Sequence, residues 1–310
     1  VTVKEARPTD TVGTTAPAPP DTRRHRNRHR LDIKPSKAGS SWEDVPRWQI
    51  YVPLGVYLLF TLIPFYWMLL FAFRPTGSTS LVPWPLTFDH FDKVWNERAF
   101  ATFFQNSLLV GVASMFMTTV VALAGGYALA RFNFKVKRAF MLALLCSQFI
   151  PGALMLVPLF EIFANLQMIN SLGSVIIAET VFQLPLTMIL ISGFIKNVPP
   201  SLEEAAWVDG CGRFRAFCAV VLPLLRPGLI AVGSFAFVHS WNHFLFALMF
   251  LSDQGKQTIP VGLATLMGAD SVDLGALAAG GVVAALPVVI VFAFIQKWLV
   301  TGFSAGAVKG

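Results

Sequence analysis

Six long apolar stretches organise the chain, separated by short polar segments. They run approximately Ile50–Phe73, Ser107–Ala130, Ala139–Phe163, Gly173–Ile195, Gly228–Leu251 and Ala276–Leu299. Each reaches the roughly 20 residues a helix needs to cross a bilayer. The runs are continuous rather than alternating, which selects helices over a β-barrel, the only other form that satisfies its whole backbone in lipid. The pattern predicts an all-α integral membrane protein of six transmembrane helices. The first window is too long for a cleaved signal and no small-x-small site follows it, so it is expected to remain as a span. Pro53, Pro64, Pro151, Pro158, Pro185 and Pro287 fall inside the windows; each removes a backbone donor and favours a bend. Pairs such as Gly125-Gly126 and Gly280-Gly281 let helix backbones approach closely. Both features suit simple bundle packing as well as a transport path.

Composition points the same way. Of 310 residues, 55% are apolar and 13% are charged, half the charge of about 25% usual in soluble domains. A soluble enzyme is thereby excluded, because the polar shell it needs is missing. The three cysteines, Cys146, Cys211 and Cys218, form no C-x-x-C pair and are too few for a disulfide framework, so they read as small apolar fillers.

The net charge of +7 is unevenly spread. Residues 1–46 are basic and rich in Pro, Thr and Ser, with no apolar period; they are expected to be a disordered tail. Its core, Arg23 to Arg30, invites a nucleic-acid reading. No aromatic platform or nucleic-acid-binding fold accompanies it, so anionic headgroups of membrane lipids are the expected partner and nucleic acid is not. The tail with Arg47, the segment Arg131–Arg138, the loop Lys196–Arg226 and the C-terminal end carry twenty Lys and Arg. The opposite face carries four: Arg74, Lys93, Arg98 and Lys256. Such an excess marks the cytoplasmic side, so both termini are expected in the cytoplasm. The transmembrane domain is expected over residues 47–310.

One cytoplasmic connection, about 197–227, is more than a loop. Pro199-Pro200-Ser201-Leu202-Glu203-Glu204 opens a helix, with Ser201 and Glu204 spaced as a capping box. Gly210 can take the left-handed conformation that ends it. A second helix, Arg213–Leu222, is expected to stop at Pro223. Trp207, Val208, Phe214 and Phe217 are apolar side chains such a hairpin offers. They suit a groove on a partner protein or a seat in the lipid interface. Within the spans, Glu179 is the only deep acid, and a carboxylate at bilayer centre costs about 2.5–3.5 kcal/mol even on lenient scales. It belongs either on a solute path with Gln148, Gln183 and Asn242, or in a hydrogen bond to a neighbouring helix, as do His239 and His243.

The spacing Glu204-Ala205-Ala206, three residues, Gly210, nine residues, Val220, one residue, Leu222-Pro223 resembles the EAA signature of binding-protein-dependent ABC importer permeases; Asp209 also fits. Asn106-Ser107-Leu108, Ala124 to Phe132, Pro151-Gly152, Pro158-Leu159-Phe160, Trp241 to Phe244 and Gly306 to Gly310 resemble the maltose-type, carbohydrate-uptake branch. The likeness spans about Val45–Gly310. It departs at His243, where the family usually has an acid. The resemblance implies a type I importer permease fold in the bacterial inner membrane, moving a sugar or oligosaccharide. It also implies a second, different permease chain, an ATPase dimer and an external solute-binding protein. Glu204, Ala205, Ala206, Trp207, Asp209, Gly210 and Phe214 would then contact the ATPase.

The chain has no G-x-x-x-x-G-K-[ST] segment to cradle a nucleotide and no His/Cys/Asp set at metal or nucleophile spacing. No catalytic residue, metal or cofactor is expected in it, and ATP and Mg would be held by the ATPase partner. A second class of function remains open at this level: an ion-coupled secondary transporter using Glu179. So do a structural or receptor-like membrane subunit and an importer for a non-sugar solute such as a glycerol phosphate.

Overall fold

A computed structural model describes residues 46–97, 99–267 and 272–307. The basic tail and the end of the C-terminal match lie outside them. The described residues form helices joined by turns and loops, without strands: α1 Arg47–Phe73, α2 Asp89–Asp92, α3 Phe100–Arg131, α4 Lys137–Ser147, α5 Leu156–Asn165, α6 Leu172–Lys196, α7 Pro200–Val208, α8 Arg213–Ala216, α9 Leu222–Leu224, α10 Arg226–Asn242, α11 Leu245–Phe250, α12 Ile259–Met267 and α13 Leu274–Ala307. By its internal contacts the chain divides after Tyr57, and the packing below concerns Leu58 onward.

Four described helices cross a bilayer's length unbroken: α1, α3, α6 and α13 as far as Gln296. The third window is a bent pair. Lys137–Ser147 and Gly152–Asn165 meet at 96°, because Pro151 is extended (ψ 127°) and disfavours helix in the residue before it. The fifth window also differs from one straight span. Its helix α10 ends at Asn242, since His243 is extended (φ −76°, ψ 125°), and α11 resumes two residues later. The second bent pair is not α10 with α11 but Arg213–Leu224 with α10, and counting each bent pair as one crossing gives up to six spans among the described residues. Pro185 and Pro287 stay within unbroken helices.

The core forms where α3 packs along α6 and α10, with α13 against α10. Close approach of α3 and α6 depends on small residues. A Cβ on Gly126 would sit 2.8 Å from Ile191 Cγ2 and 3.2 Å from the Met188 carbonyl oxygen. At the end where α6 leads toward α10, Ala122, Ile191, Ile195, Val221 and Leu225 form one cluster. Toward the other end Val110, Val175, Phe246 and Phe250 form another. α1 keeps most of its apolar side chains exposed, Leu58, Leu59, Phe60 and Leu62 among them, the face a lipid-embedded helix presents. Cys146 is exposed on α4 and fills no space in the core, contrary to expectation.

Candidate functional site

The segment between α6 and α10 folds as a hairpin. α7 begins at Pro200, its first helical residue, with Pro199 as cap and no side-chain cap bond. The expected Ser201–Glu204 capping box does not form. Proline, with its fixed φ and no N–H to satisfy, takes the first helical position two residues before the Leu202 that a Ser201 cap would give. The other end behaves as expected. Gly210 has φ +86°, Cys211 N donates to Ala206 O at 2.9 Å and Gly210 N to Trp207 O at 3.0 Å, the paired bonds of a Schellman motif. A Cβ on Gly210 would meet nothing within 4 Å. Glycine is required there for the dihedral, not for space.

The second arm continues past Pro223 rather than stopping. α8 runs into a π-helical turn, Phe217–Val221, in which Leu222 N donates to Phe217 O. α9 then includes Pro223, whose missing donor falls just after the widened turn. The chain turns at Leu225, and the arm meets α10 at 76°.

The outer side of the hairpin is apolar and open. Val208 is 87% and Phe214 80% exposed; Trp207 is partly exposed, with the Arg213 guanidinium 5.6 Å above its ring. Glu204, Ala205 and Asp209 are exposed and Ala206 half-buried. Phe217, expected on this open side, turns inward instead and packs edge-on against Tyr127 at 4.9 Å.

Glu203, which the sequence did not single out, holds the inner side. It is 3% exposed. Its Oε1 accepts from Arg131 Nε at 2.6 Å and its Oε2 from the Tyr127 hydroxyl at 2.7 Å. Arg131 Nη2 also donates to the Val198 carbonyl at 2.9 Å. One side chain of α7 is thus locked to the last turn of α3. The i, i+4 pair Tyr127 and Arg131, ending a span opposite two consecutive acids, is the sequence signal that was available. Beside this network a groove of about 260 Å³ is lined by Tyr127, Arg131, Phe132, Pro200, Glu204, Trp207 and Arg213.

A second polar cluster lies within the bundle. Glu179 on α6 is 1% exposed. Its Oε1 lies 2.7 Å from His243 Nδ1 and its Oε2 3.3 Å from His239 Nδ1. The His243 contact is close but does not have hydrogen-bond geometry. The two imidazoles stack 5.5 Å apart, and Gln183 Nε2 donates to Glu179 Oε2 at 3.5 Å. Gln183 is buried with it. Asn242 is exposed, its amide donating to Val238 O, and with Phe235, His239 and His243 it lines a groove of about 310 Å³. Gln148 is apart from these, exposed at the bend after α4 and lining a cavity of about 190 Å³ with Phe182 and Pro185. Among the described residues no set of three His, Cys, Asp or Glu side chains has a metal-holding arrangement.

Nothing in either cluster pairs a nucleophile with a base. The hairpin offers a mechanical contact on a fixed stem, and the bundle cluster joins two helices. Residues 121–304 match the family model described as "Binding-protein-dependent transport system inner membrane component". The chain is 35% identical, over 90% of its length and 100% of the relative's, to the diacetylchitobiose uptake system permease protein DasC of Streptomyces coelicolor. It is 33% identical to the melibiose/raffinose/stachyose import permease protein MelC of Bacillus subtilis, over 80% of this chain and 91% of that one. Its fold is similar to a chain in the crystal structure of a bacterial ABC transporter involved in import of the acidic polysaccharide alginate. That likeness has a TM-score of 0.69 and 20% identity over 82% of this chain and 98% of that one. Multi-pass, all-helical and built around a hairpin of this design, the chain belongs to the family of inner membrane components of binding-protein-dependent transport systems.

Proposed function

We propose that this permease moves a sugar or oligosaccharide, delivered by an external solute-binding protein, with energy from a separate ATPase dimer that holds ATP and Mg. The observation that carries the coupling half is the hairpin itself: a rigid stem anchored through Glu203, presenting Trp207, Val208 and Phe214 uncovered. Exposed apolar side chains on a short rigid helix pair are the form of a knob that fits a partner groove. The basic asymmetry supports placing that knob, and both termini, in the cytoplasm. Carbohydrate as solute is supported by the relatives, whose names specify diacetylchitobiose and melibiose, raffinose or stachyose. A second permease chain completes the bundle. On the path itself, open Asn242 and Gln148 are the groups available to sugar hydroxyls. Glu179 and Gln183, buried between α6 and α10, serve helix pairing.

The test is Gly210→Val. A β-branched residue at φ +86° is a strong outlier, so the turn is mis-set and the apolar knob is misplaced, while the spans still insert. The expected phenotype is an inserted permease that co-purifies poorly with its ATPase or no longer raises ATP hydrolysis when sugar-loaded binding protein is added. Normal co-purification together with normal stimulation overturns the coupling role.

A further inference from the structure

The connection that leaves α1 is uncharged from Pro75 to Phe88, and it does not leave the helix's side. Its base is pinned where Thr87 N donates to Phe73 O at 2.9 Å. Partway round, the Tyr66 hydroxyl donates to the Leu81 carbonyl. Tyr66 lies seven residues before the end of α1, about 10 Å down the helix at 1.5 Å per residue. Helical side chains lean toward the N-terminus, so the tip of the loop folds back beside the span instead of standing above it. Its side chains are apolar and open: Leu81, Val82, Leu86 and Phe88 are exposed, and Trp84 is 76% exposed.

Chain at membrane depth must satisfy its backbone without water, and this loop reduces that demand in several places. Pro83 and Pro85 have no N–H. Val82 N donates to Ser80 Oγ, Trp84 N to Val82 O and Thr87 N to Phe73 O. The Ser80 carbonyl accepts from Arg74, and the Val82 carbonyl also from Ser80 Oγ. The surroundings mark the same level. Tyr66, Trp67 and Phe71 form a run of ring contacts on α1. The Arg74 guanidinium lies 4.7 Å over Phe71, its stem along apolar surface and its charge at the helix end. Aromatic side chains gather at the headgroup boundary, and arginine reaches out of it in this way.

We propose that the loop tip, Leu81 to Leu86, is seated in the lipid interface at the C-terminal end of α1, with Trp84 and Val82 inserted among the acyl chains near the headgroups. Lipid is favoured over a protein partner because the loop continues the exposed apolar face of α1, lacks any charge for a complementary surface, and carries two prolines and several internal bonds that lower its count of open N–H groups. The seat anchors that end of α1 against sliding along the membrane normal.

A nitroxide at Trp84→Cys, and separately at Val82→Cys, tests this in the full transporter in phospholipid nanodiscs, with Cys146, Cys211 and Cys218 replaced by serine. Oxygen concentrates in lipid and a nickel chelate in water. At both sites the expected result is relaxation by oxygen exceeding that by nickel, as at a control label on Phe60, with the reverse at a control on Ser78. Nickel exceeding oxygen at 84 and 82 places the tip in water and overturns the proposal. Low accessibility to both reagents places it under the second permease or the binding protein and equally overturns it. The readout concerns membrane position alone, so it stands or falls separately from the solute and coupling assignments.

Discussion

Replacing Arg131 with methionine keeps an apolar stem but removes the guanidinium that neutralises Glu203. The carboxylate is then left 3% exposed with the Tyr127 hydroxyl as its remaining partner. Stranding one member of a buried ion pair costs about 3–5 kcal/mol. Glu203→Gln is milder: the amide oxygen still accepts from Arg131 or Tyr127, and Arg131 keeps the Val198 carbonyl, so the loss is about 1–2 kcal/mol. The energy holds α7 on the end of α3, so it is read as local opening of the hairpin by hydrogen exchange of its amides. Those of Asp209, Gly210 and Cys211, all hydrogen-bonded in the hairpin, are the natural reporters. At about 1.36 kcal/mol per decade, Arg131→Met is expected to raise their exchange at least about a hundredfold, and Glu203→Gln about tenfold. Amides in the middle of α6 are the internal control. Combining both changes should be gentler than Arg131→Met alone, because no charge is then stranded. Unchanged exchange in Arg131→Met, or a larger effect from Glu203→Gln than from Arg131→Met, refutes the reasoning.

Glu179→Gln retains shape and hydrogen-bonding capacity beside His239 and His243, so assembly and uptake are expected to stay within about threefold of wild type, the scale of one ordinary hydrogen bond. Loss of uptake at normal assembly, read by transport into vesicles, would return Glu179 to the solute path. Cysteine at Ser78 should react with an impermeant thiol reagent from outside intact cells, and cysteine at Val208 only after the membrane is opened; the opposite pattern reverses the orientation. Asp273, clasped by Lys93 at 2.6 Å and by Ala276 N, is held below the ordinary aspartate value of 3.8 chiefly by the Lys93 hydrogen bond. A depressed carboxylate stabilises fully above its unfolded value and loses the effect as pH falls through its folded one. The clasp should therefore persist through neutral and mildly acidic pH and fail only below about pH 3.8. As a part-exposed pair it contributes at most about 1 kcal/mol, so Asp273→Asn should lower the unfolding temperature only slightly at pH 7. A large drop would contradict that estimate.

The spans were legible because continuous apolar runs of bilayer length have few other uses. Their interruptions were only half legible. Six prolines mark the windows, yet the 96° break falls at Pro151, where the following Gly152 weakens helix further, while α6 continues through Pro185. At His243 there is no glycine or proline to read. The chain leaves helical geometry where its ring meets Glu179, a long-range contact that local pattern does not carry. The hairpin shows the same divide. Gly210 and its left-handed φ follow from local chemistry. Which of two adjacent acids turns inward is decided by the pairing of Glu203 with Tyr127 and Arg131 of α3, a contact that local pattern does not carry. One position in a helix is a rotation of 100°, enough to make Glu203 the anchor and leave Glu204 in the open.

Two buried carboxylates are held in two ways, one by a fork of fixed geometry and one by separate rings. Each has a side-chain nitrogen from another segment at 2.6–2.7 Å. Glu203 meets a guanidinium, which stays charged at every accessible pH and fixes its fork in one geometry. With Tyr127 and the Val198 carbonyl completing the network, the contact holds α7 on α3 in one arrangement, as a stem must if it is to carry force from a hairpin into α3. Glu179 instead meets two separate rings, His239 Nδ1 at 3.3 Å and His243 Nδ1 at 2.7 Å, with no fork to fix one geometry. Substitutions that remove charge should thus be severe at Arg131 and mild at Glu179, although the two acids are equally hidden from solvent.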